Sequence, residues 1–408
     1  MRLLHTSDWH LGRSLHRADL GEAQQGFLEH LVQTVRVEGI DVVVVSGDIY
    51  DRAIAPLPAL EMCTDALVRI RDAGARIVMI SGNHDSARRL GNDSRLKDAA
   101  GVHVRTRVAG CADPVLIQDA SGPVAVYAIP YLEPEVVRDE LPPVAADADP
   151  LGRGHAAVLG RATAAIRADL AASGVPRSVV LAHGWVTGGA ACDSERDISV
   201  GGVGAVPASL FDGFTYAALG HLHGQQTIAP HVRYSGSPLP YSFSEATHRK
   251  GSWLVEIDGA GLARVERVPA PVHRRLATVR GTLEELLTAD AHRDLQDAFL
   301  EVVLTDPVPP SAPMDRLRAR FPHVLVLRRE PAGVVADPRS YAVRVRGRTD
   351  LQVAVGFVEH VRSPATDSEQ ALLAEALEQC RIAAQDEAFG GGSPAAEAGA
   401  TGRAEEVA

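Results

Sequence analysis

Short apolar runs with little polar alternation recur along the first two thirds of the chain, at residues 3–6, 41–46, 77–80, 124–129, 179–182, 214–219 and 253–257. Runs of this length, rich in β-branched residues, predict strands buried on both faces. Between them the apolar period changes. Ala23, Phe27, Leu31 and Val35 recur at spacings of four and stop before Gly39, and Leu60, Cys63, Leu67 and Ile70 repeat the pattern. Val158, Ala162, Ile166 and Leu170 do so again. These stripes predict helices, and strands alternating with helices predict an α/β domain.

Polar residues arrive where the apolar runs end. The first run delivers Asp8 and His10, and the second ends in Gly47-Asp48-Ile49-Tyr50-Asp51. The third ends in Gly82-Asn83-His84-Asp85, the next in His183-Gly184, and the last of the set in Gly220-His221-Leu222-His223. Such residues stop arriving at strand ends near Pro271, which places a boundary there and a first domain at 1–270. Residues 271–347 alternate strand and helix as a small α+β domain: strands at 276–279, 300–304 and 324–327, a helix opened by the capping-box pattern Thr282-x-x-Glu285, another at 314–320, and a strand at 341–345. Two amphipathic helices follow at 348–388, one with Leu351, Ala354, Val355 and Val358 on a face, the other opened by Thr366-x-x-Glu369 with Leu373, Leu377, Cys380 and Ala384 aligned. They suit packing on the preceding domain or on a partner helix. Residues 142–149 read as a surface loop, and 389–408 as a disordered tail.

Composition narrows the chemistry. The net charge of -11 argues against a basic footprint over the whole surface, though it leaves local patches open. Lys97 and Lys250 are the only lysines, and neither completes a GxxxxGK[ST] phosphate loop, so an ATP site of that type is not expected. The four cysteines are scattered without CxxC spacing, and no apolar run reaches the roughly 20 residues of a membrane span. A cytoplasmic protein is the expectation.

The strand-end set, Asp8, His10, Asp48, Asn83, His183, His221 and His223, has His84 and Asp51 beside it. Ligands gather beyond the carboxyl ends of strands in open α/β sheets. Seven O and N donors exceed the about four that a tetrahedral ion takes, and two ions sharing one carboxylate would use them all. The absence of cysteine favours manganese or iron over a thiolate zinc site, although imidazole also suits zinc. Two ions roughly 3.5 to 4 Å apart suit in-line attack of water on phosphorus. His84, fixed by the backbone that fixes Asn83, suits proton donation to the leaving oxygen. Asp51 fits a ligand-orienting, a substrate-facing or a plain turn role. His231 is undecided, and the other histidines read as ordinary polar side chains.

These phrases resemble the calcineurin-like metallophosphoesterase superfamily, with its Asp-x-His, Gly-Asp-x-x-Asp, Gly-Asn-His-Asp/Glu, lone His and Gly-His-x-His motifs. Tyr234-Ser235-Gly236-Ser237-Pro238, Tyr241-Ser242-Phe243-Ser244-Glu245 and the trailing α+β region narrow the resemblance to the bacterial SbcD nuclease-subunit family, counterparts of Mre11. The resemblance covers the chain to about residue 385.

The resemblance implies a β-sandwich flanked by helices in four αββα layers, then a small α+β DNA-capping domain and C-terminal helices. It implies one manganese held by Asp8, His10, Asp48 and His223 and another held by Asp48, Asn83, His183 and His221, with His84 the non-ligand catalytic histidine. The implied activity is 3' to 5' exonuclease action on double-stranded DNA ends and endonuclease action on single strands and hairpins. The implied partner is an SbcC-type ABC ATPase gripped by the helices at 348–388, with two copies of this chain in a heterotetramer. Phosphate contacts are expected from Arg13, Arg17, Arg52, Arg88 and Arg89 near the metal loops and from Arg274 and Arg275 near the domain junction. The competing readings are a phosphodiesterase for a small cyclic nucleotide and a non-catalytic DNA-end adaptor.

Overall fold

The computed structural model describes residues 1–141, 154–196, 198, 204–332, 347–362 and 364–389. The expected loop at 142–149, the strand at 341–345, the tail from 390 and the side chain of Ala384 lie outside the described residues. The chain divides into two compact units.

The first unit comprises Met1–Arg280, Leu286–Val303 and Met314–Arg328. Its centre is a pair of six-stranded sheets. One is built from β1 (Arg2–Thr6), β2 (Val42–Ser46), β3 (Arg76–Ile80), β4 (Val102–Arg105), β11 (Gly251–Asp258) and β12 (Gly261–Pro269), in the order β12-β11-β1-β2-β3-β4. The other takes β5 (Val115–Asp119), β6 (Gly122–Ala128), β7 (Ser178–His183), β8 (Tyr216–Gly220), β9 (Gln226–Ala229) and β10 (Val232–Tyr234), in the order β5-β6-β7-β8-β10-β9. β1, β2, β3 and β4 run parallel, as do β6, β7 and β8.

The valine run of β2 shows why both faces had to be apolar. Side chains alternate across a strand, so Val42 and Val44 enter the core between the sheets with Val126, Leu181 and Ala218, while Val43 and Val45 join a core with Phe27, Leu31, Cys63 and Ile70. The last four lie on α1 (Gly21–Glu38) and α2 (Leu57–Asp72). On the far side, Tyr127, Val180 and Leu219 pack with Val158, Ala162 and Ile166 of α6 (His155–Ser173). The four layers expected of an αββα sandwich are present. One stripe differs in part. α2 buries Ala59, Cys63, Ala66 and Ile70, Leu67 packs half-buried against the same core, and Leu60 is exposed.

Three short helices complete this part of the chain: α3 (Ala87–Leu90), α4 (Ser94–Ala99) and α5 (Pro134–Val137). The basic residues Arg88, Arg89, Arg95 and Lys97 lie on the first two of these.

The first unit continues past residue 270. β13 (Leu276–Gly281), β14 (Phe299–Leu304) and β15 (Val324–Arg329) form a three-stranded sheet, with α7 (Leu283–Thr288) and α8 (Pro313–Arg320) between its strands in sequence. Leu276, Phe299 and Leu325 pack with Leu15, Leu20, Ala23, Tyr241 and Phe243.

The second unit comprises Gly281–Glu285, Leu304–Pro313 and the described residues of Arg329–Ala408. Thr282 and Glu285 close the expected capping box. α9 (Asp350–Val361) and α10 (Asp367–Phe389) pack on each other, each opened by a capping box: Thr349 with Gln352, and Thr366 with Glu369. Leu373 and Leu377 are half-buried, and Cys380 is exposed rather than part of a buried stripe. No helix among the described residues is long and apolar enough to cross a membrane.

Candidate metal centre

Five strands deliver the candidate ligands to one place. β1, β2 and β3 end in one sheet, and β7 and β8 end in the other, so the site straddles the carboxyl ends of both. Backbone hydrogen bonds lock the loops together: Asp8 N donates to Gly47 O and His10 N to Asp48 O, both at 3.0 Å. Asp8, His10, Asp48 and His221 all have positive φ, of 53°, 46°, 50° and 104°. Non-glycine residues rarely accept that conformation, and strain of this kind gathers at functional sites.

Two glycines let the turns approach this closely. A Cβ on Gly82 would stand 2.2 Å from Asp48 Oδ1, and one on Gly47, itself at φ +91°, would stand 2.5 Å from His183 Nδ1.

All seven candidates converge. His10 Nε2 and His223 Nε2 are 3.0 Å apart, and Asp48 Oδ2 lies 3.6 Å from His10 Nε2 and 3.5 Å from His183 Nε2. Asn83 Oδ1 lies 2.9 Å from His183 Nε2 and 3.3 Å from His221 Nδ1. Asp8 accepts from His221 N at 3.0 Å and from Ser7 Oγ at 2.5 Å. Asp8-His10-His223, Asp8-Asp48-His183 and His10-Asp48-His84 each bring three ligand atoms within 4.8 Å of one another. Apart from Asn83, every one of these side chains is at least nine-tenths buried.

The donor set fits divalent cations on two observations. His183 Nδ1 donates to Ser46 O at 2.8 Å, which in the neutral ring leaves a lone pair on Nε2 facing the Asn83 oxygen. His10 Nε2 and His223 Nε2 face each other at 3.0 Å, with Asp48 Oδ2 3.6 Å from the former. The local field agrees. Burial pulls His183 down, but Asp48 and then Asp8 outweigh it and raise the ring to about 9, so positive charge is favoured at that spot. Burial pushes Asp48 up, yet His183, His10 and His84 hold its carboxyl well below the usual range. Asp8 is pushed up to about 6 by burial, against the pull of His183 and His223.

His84 sits beside this set. Its backbone N donates to Asp48 Oδ1 at 2.9 Å, its ring centroid is 4.6 Å from that of His10, and its Nδ1 donates to Asp51 O at 2.8 Å. Burial lowers its pKa, opposed by Asp48 and the Asp51 carbonyl. Asp51 thus orients His84 through its main chain, while its carboxylate pairs with Arg13 Nε at 3.6 Å and Arg52 Nε at 3.5 Å. His231 lies away, 3.9 Å from Asp212. His5 belongs to the core, donating from Nε2 to Leu219 O and accepting from Tyr216 Oη.

Sequence reasoning missed several supports. Asp85 accepts from Gly82 N, Ile49 N and Tyr50 N at 2.9, 3.1 and 3.0 Å, clamping two metal loops together. Its place in the Gly-Asn-His-Asp phrase was the available signal. Glu195 accepts from His223 N at 2.6 Å, and Ser194 and Glu245 reach the His223 ring. Of the candidate DNA-contacting arginines, Arg17, Arg52, Arg88 and Arg89 are exposed. Arg13 is mostly enclosed, donating to Ser194 O and lying over the Tyr241 ring. Arg274 covers Phe299, and Arg275 pairs with Asp294 at 2.8 Å.

Residues 1–133 match the family described as calcineurin-like phosphoesterase. Over that third of the chain, from β1 to the start of α5, the sequence is similar to calcineurin-like phosphoesterases. Residues 272–362 match SbcD_C, described as the type 5 capsule protein repressor C-terminal domain, and the two matches in this order make an SbcD-like architecture. Among solved structures the chain is similar to TT1561 of Thermus thermophilus, at 14% identity and a TM-score of 0.36 over 66% of this chain and 98% of that one. It is also similar to a dimetal phosphatase from Danio rerio, at 15% identity and 0.38 over 66% and 98%. A third is GAP50, the anchor in the inner membrane complex of Plasmodium, at 10% identity and 0.37 over 82% and 98%. Calcineurin-like phosphoesterases hydrolyse phosphoesters with divalent metals, and the His and Asp clusters of this chain could bind such ions.

Proposed function

We propose that this chain is the nuclease subunit of an SbcCD-type complex. The observation that carries the reading is the convergence of Asp8, His10, Asp48, Asn83, His183, His221 and His223 beneath His84, in a chain whose residues 272–362 match SbcD_C. Asp8, His10, Asp48 and His223 would hold one ion and Asp48, Asn83, His183 and His221 the other, with manganese the resident metal. When bound, such a pair supplies an activated water and stabilises charge developing on the phosphoryl oxygens.

The chain's own residues do the rest. Asp48 fixes the His84 backbone and Asp51 fixes the His84 ring, so Nε2 is the atom that carries a proton to the leaving oxygen. Burial lowers the His84 pKa against the pull of the Asp48 carboxylate and the Asp51 carbonyl, so the ring would take up its Nε2 proton as an arriving phosphate adds negative charge beside it. Exposed Arg17, Arg52, Arg88 and Arg89 are placed in sequence beside the metal loops, where they would take DNA phosphates.

The substrates would be double-stranded DNA ends, degraded 3' to 5', together with single strands and hairpins cut internally. Residues 271–347 would cap the DNA. The 348–388 helices would grip an SbcC-type ABC ATPase, since Phe357, Leu372 and Ile382 are 51%, 65% and 43% exposed there. Two copies would join it in a cytoplasmic heterotetramer.

The test compares kcat/KM on a labelled hairpin duplex and on a cyclic nucleotide, with Mn2+, partner and ATP present. Preference for the hairpin supports the proposal, and turnover of the cyclic nucleotide without DNA cleavage overturns it.

A further inference from the structure

His183 and His84 each give their Nδ1 proton to a backbone carbonyl, which can only accept, so those tautomers are set by the main chain. His223 is held differently. Its Nδ1 lies 2.6 Å from Ser194 Oγ, and that same oxygen lies 2.6 Å from Glu245 Oε1. A hydroxyl has one proton, so the direction of both hydrogen bonds turns on Glu245.

Glu245 is 1% exposed and surrounded by donors. Lys250 Nζ donates to its Oε2, and Tyr241 N donates to its Oε1 at 2.9 Å. Lys250 also donates to His223 O at 2.8 Å and to Ser237 Oγ at 2.9 Å, so its ammonium is fixed beside the carboxylate. A carboxylate paired with an ammonium only accepts. The Ser194 hydroxyl therefore donates to Glu245, and its oxygen accepts the proton of His223 Nδ1. Cys192 Sγ, 3.3 Å from Ser194 Oγ, fits as a second donor to that oxygen.

We propose that Ser194 and Glu245 are positioning residues that set the tautomer of His223, keeping its proton on Nδ1 so that Nε2 offers a lone pair to the metal centre. The proposal rests on the reading of His223 as a ligand. The tautomer itself can be read without metal, which separates the two. Side chains that orient a ligating histidine in this way usually matter 10- to 100-fold in metal affinity.

Glu245→Gln reverses the polarity. Lys250 carries a full charge and no acceptor, so the amide oxygen turns to it, and the amide NH2 turns to Ser194 at the cost of the bond from Tyr241 N. Ser194 then donates to His223 Nδ1, and the ring proton moves to Nε2. Ser194→Ala leaves the Glu245–Lys250 pair intact and removes only the acceptor.

The experiment is nitrogen-15 NMR of histidine-labelled full-length protein in EDTA at neutral to mildly alkaline pH, with the His223 signals assigned by His223→Gln, followed by Mn2+ titration of each variant. In the wild type, His223 Nδ1 should be protonated and Nε2 bare. In Glu245→Gln the two should exchange, and one Mn2+ site should weaken by roughly 10- to 100-fold. Ser194→Ala should weaken the same site, with Ser194→Thr restoring it. A Ser194→Ala protein with wild-type tautomer and wild-type Mn2+ affinity overturns the proposal, whether or not Glu245→Gln folds. If the wild type binds no Mn2+, the ligand reading fails, while the spectra still decide whether Ser194 and Glu245 set the tautomer.

Discussion

His84 Nδ1 donates a 2.8 Å hydrogen bond to the backbone carbonyl of Asp51, although the two residues are 33 positions apart. The bond uses main chain rather than side chain at position 51, so it aims the His84 ring without requiring a particular residue there. It also leaves Nε2 as the one ring atom that can meet substrate. His84→Gln should keep Mn2+ binding within a few-fold of wild type and lower kcat by roughly 10²- to 10⁴-fold, the range of general acid–base catalysis. Loss of Mn2+ in that variant would make His84 a ligand, as its closeness to His10 and Asp48 would also permit.

Asp51→Ala separates the two halves of that residue. The carbonyl that orients His84 survives, while the carboxylate facing Arg13 and Arg52 is lost. kcat should change by less than about tenfold, far short of the His84→Gln effect. A steady-state assay of both variants side by side gives the comparison.

Gly82→Ala tests the approach of the two metal loops. The new Cβ would stand 2.2 Å from Asp48 Oδ1, with the Asp48 backbone N at 2.4 Å, so the loop has no room to yield. Thermal or urea unfolding should show a loss of about 1–3 kcal/mol, the usual cost of overpacking, and Mn2+ binding should fall with it. Unchanged stability and binding would mean the loops are more separate than described.

How much of this was legible in the sequence follows from where each residue sits. His183 closes a buried strand, and Asp8, Asp48, Asn83, His221 and His223 come within three residues of the end of one, so pattern alone drew attention to them. The two-faced burial of β2 was legible for the same reason. Glu245 and Ser194 were not, because they act on His223 across loops, and no periodicity links positions 194, 223 and 245. On α2, Leu60 was placed inward and Ala59 and Ala66 were missed, because alanine carries little hydrophobic signal although it packs well. Arg13 looked like a phosphate contact by sequence position, but Asp51, Ser194 and Tyr241 enclose it. Burial of a cation by residues distant in the chain leaves no local mark.

Stability has a separate anchor far from the metals. Arg177, 2% exposed, meets Asp119 with two bonds of 2.7 and 2.8 Å and also donates to Gly122 O at 2.7 Å. The hydrogen bonds from Arg177 hold the Asp119 carboxyl well below its usual range. A depressed carboxyl stabilises the fold above its unfolded pKa, about 3.9, and that contribution is lost progressively as pH falls from there through the lower folded value. Asp119→Asn should therefore cost about 1.5–3 kcal/mol at pH 7, as loss of hydrogen bonds to a charged group does. It should cost less at pH 3, measured by urea midpoints in EDTA. An equal cost at both pH values would remove the ion pair from the account.

The central claim is that seven side chains from five strand ends hold two divalent ions on one bridging carboxylate, Asp48. Electron paramagnetic resonance of the wild-type protein titrated with Mn2+ tests it most directly, with Asp48→Ala as the control. The account predicts two Mn2+ per chain with the signature of a spin-coupled pair, and loss of that signature in Asp48→Ala. A single uncoupled Mn2+ at saturation, or a coupled pair that persists without Asp48, would contradict it.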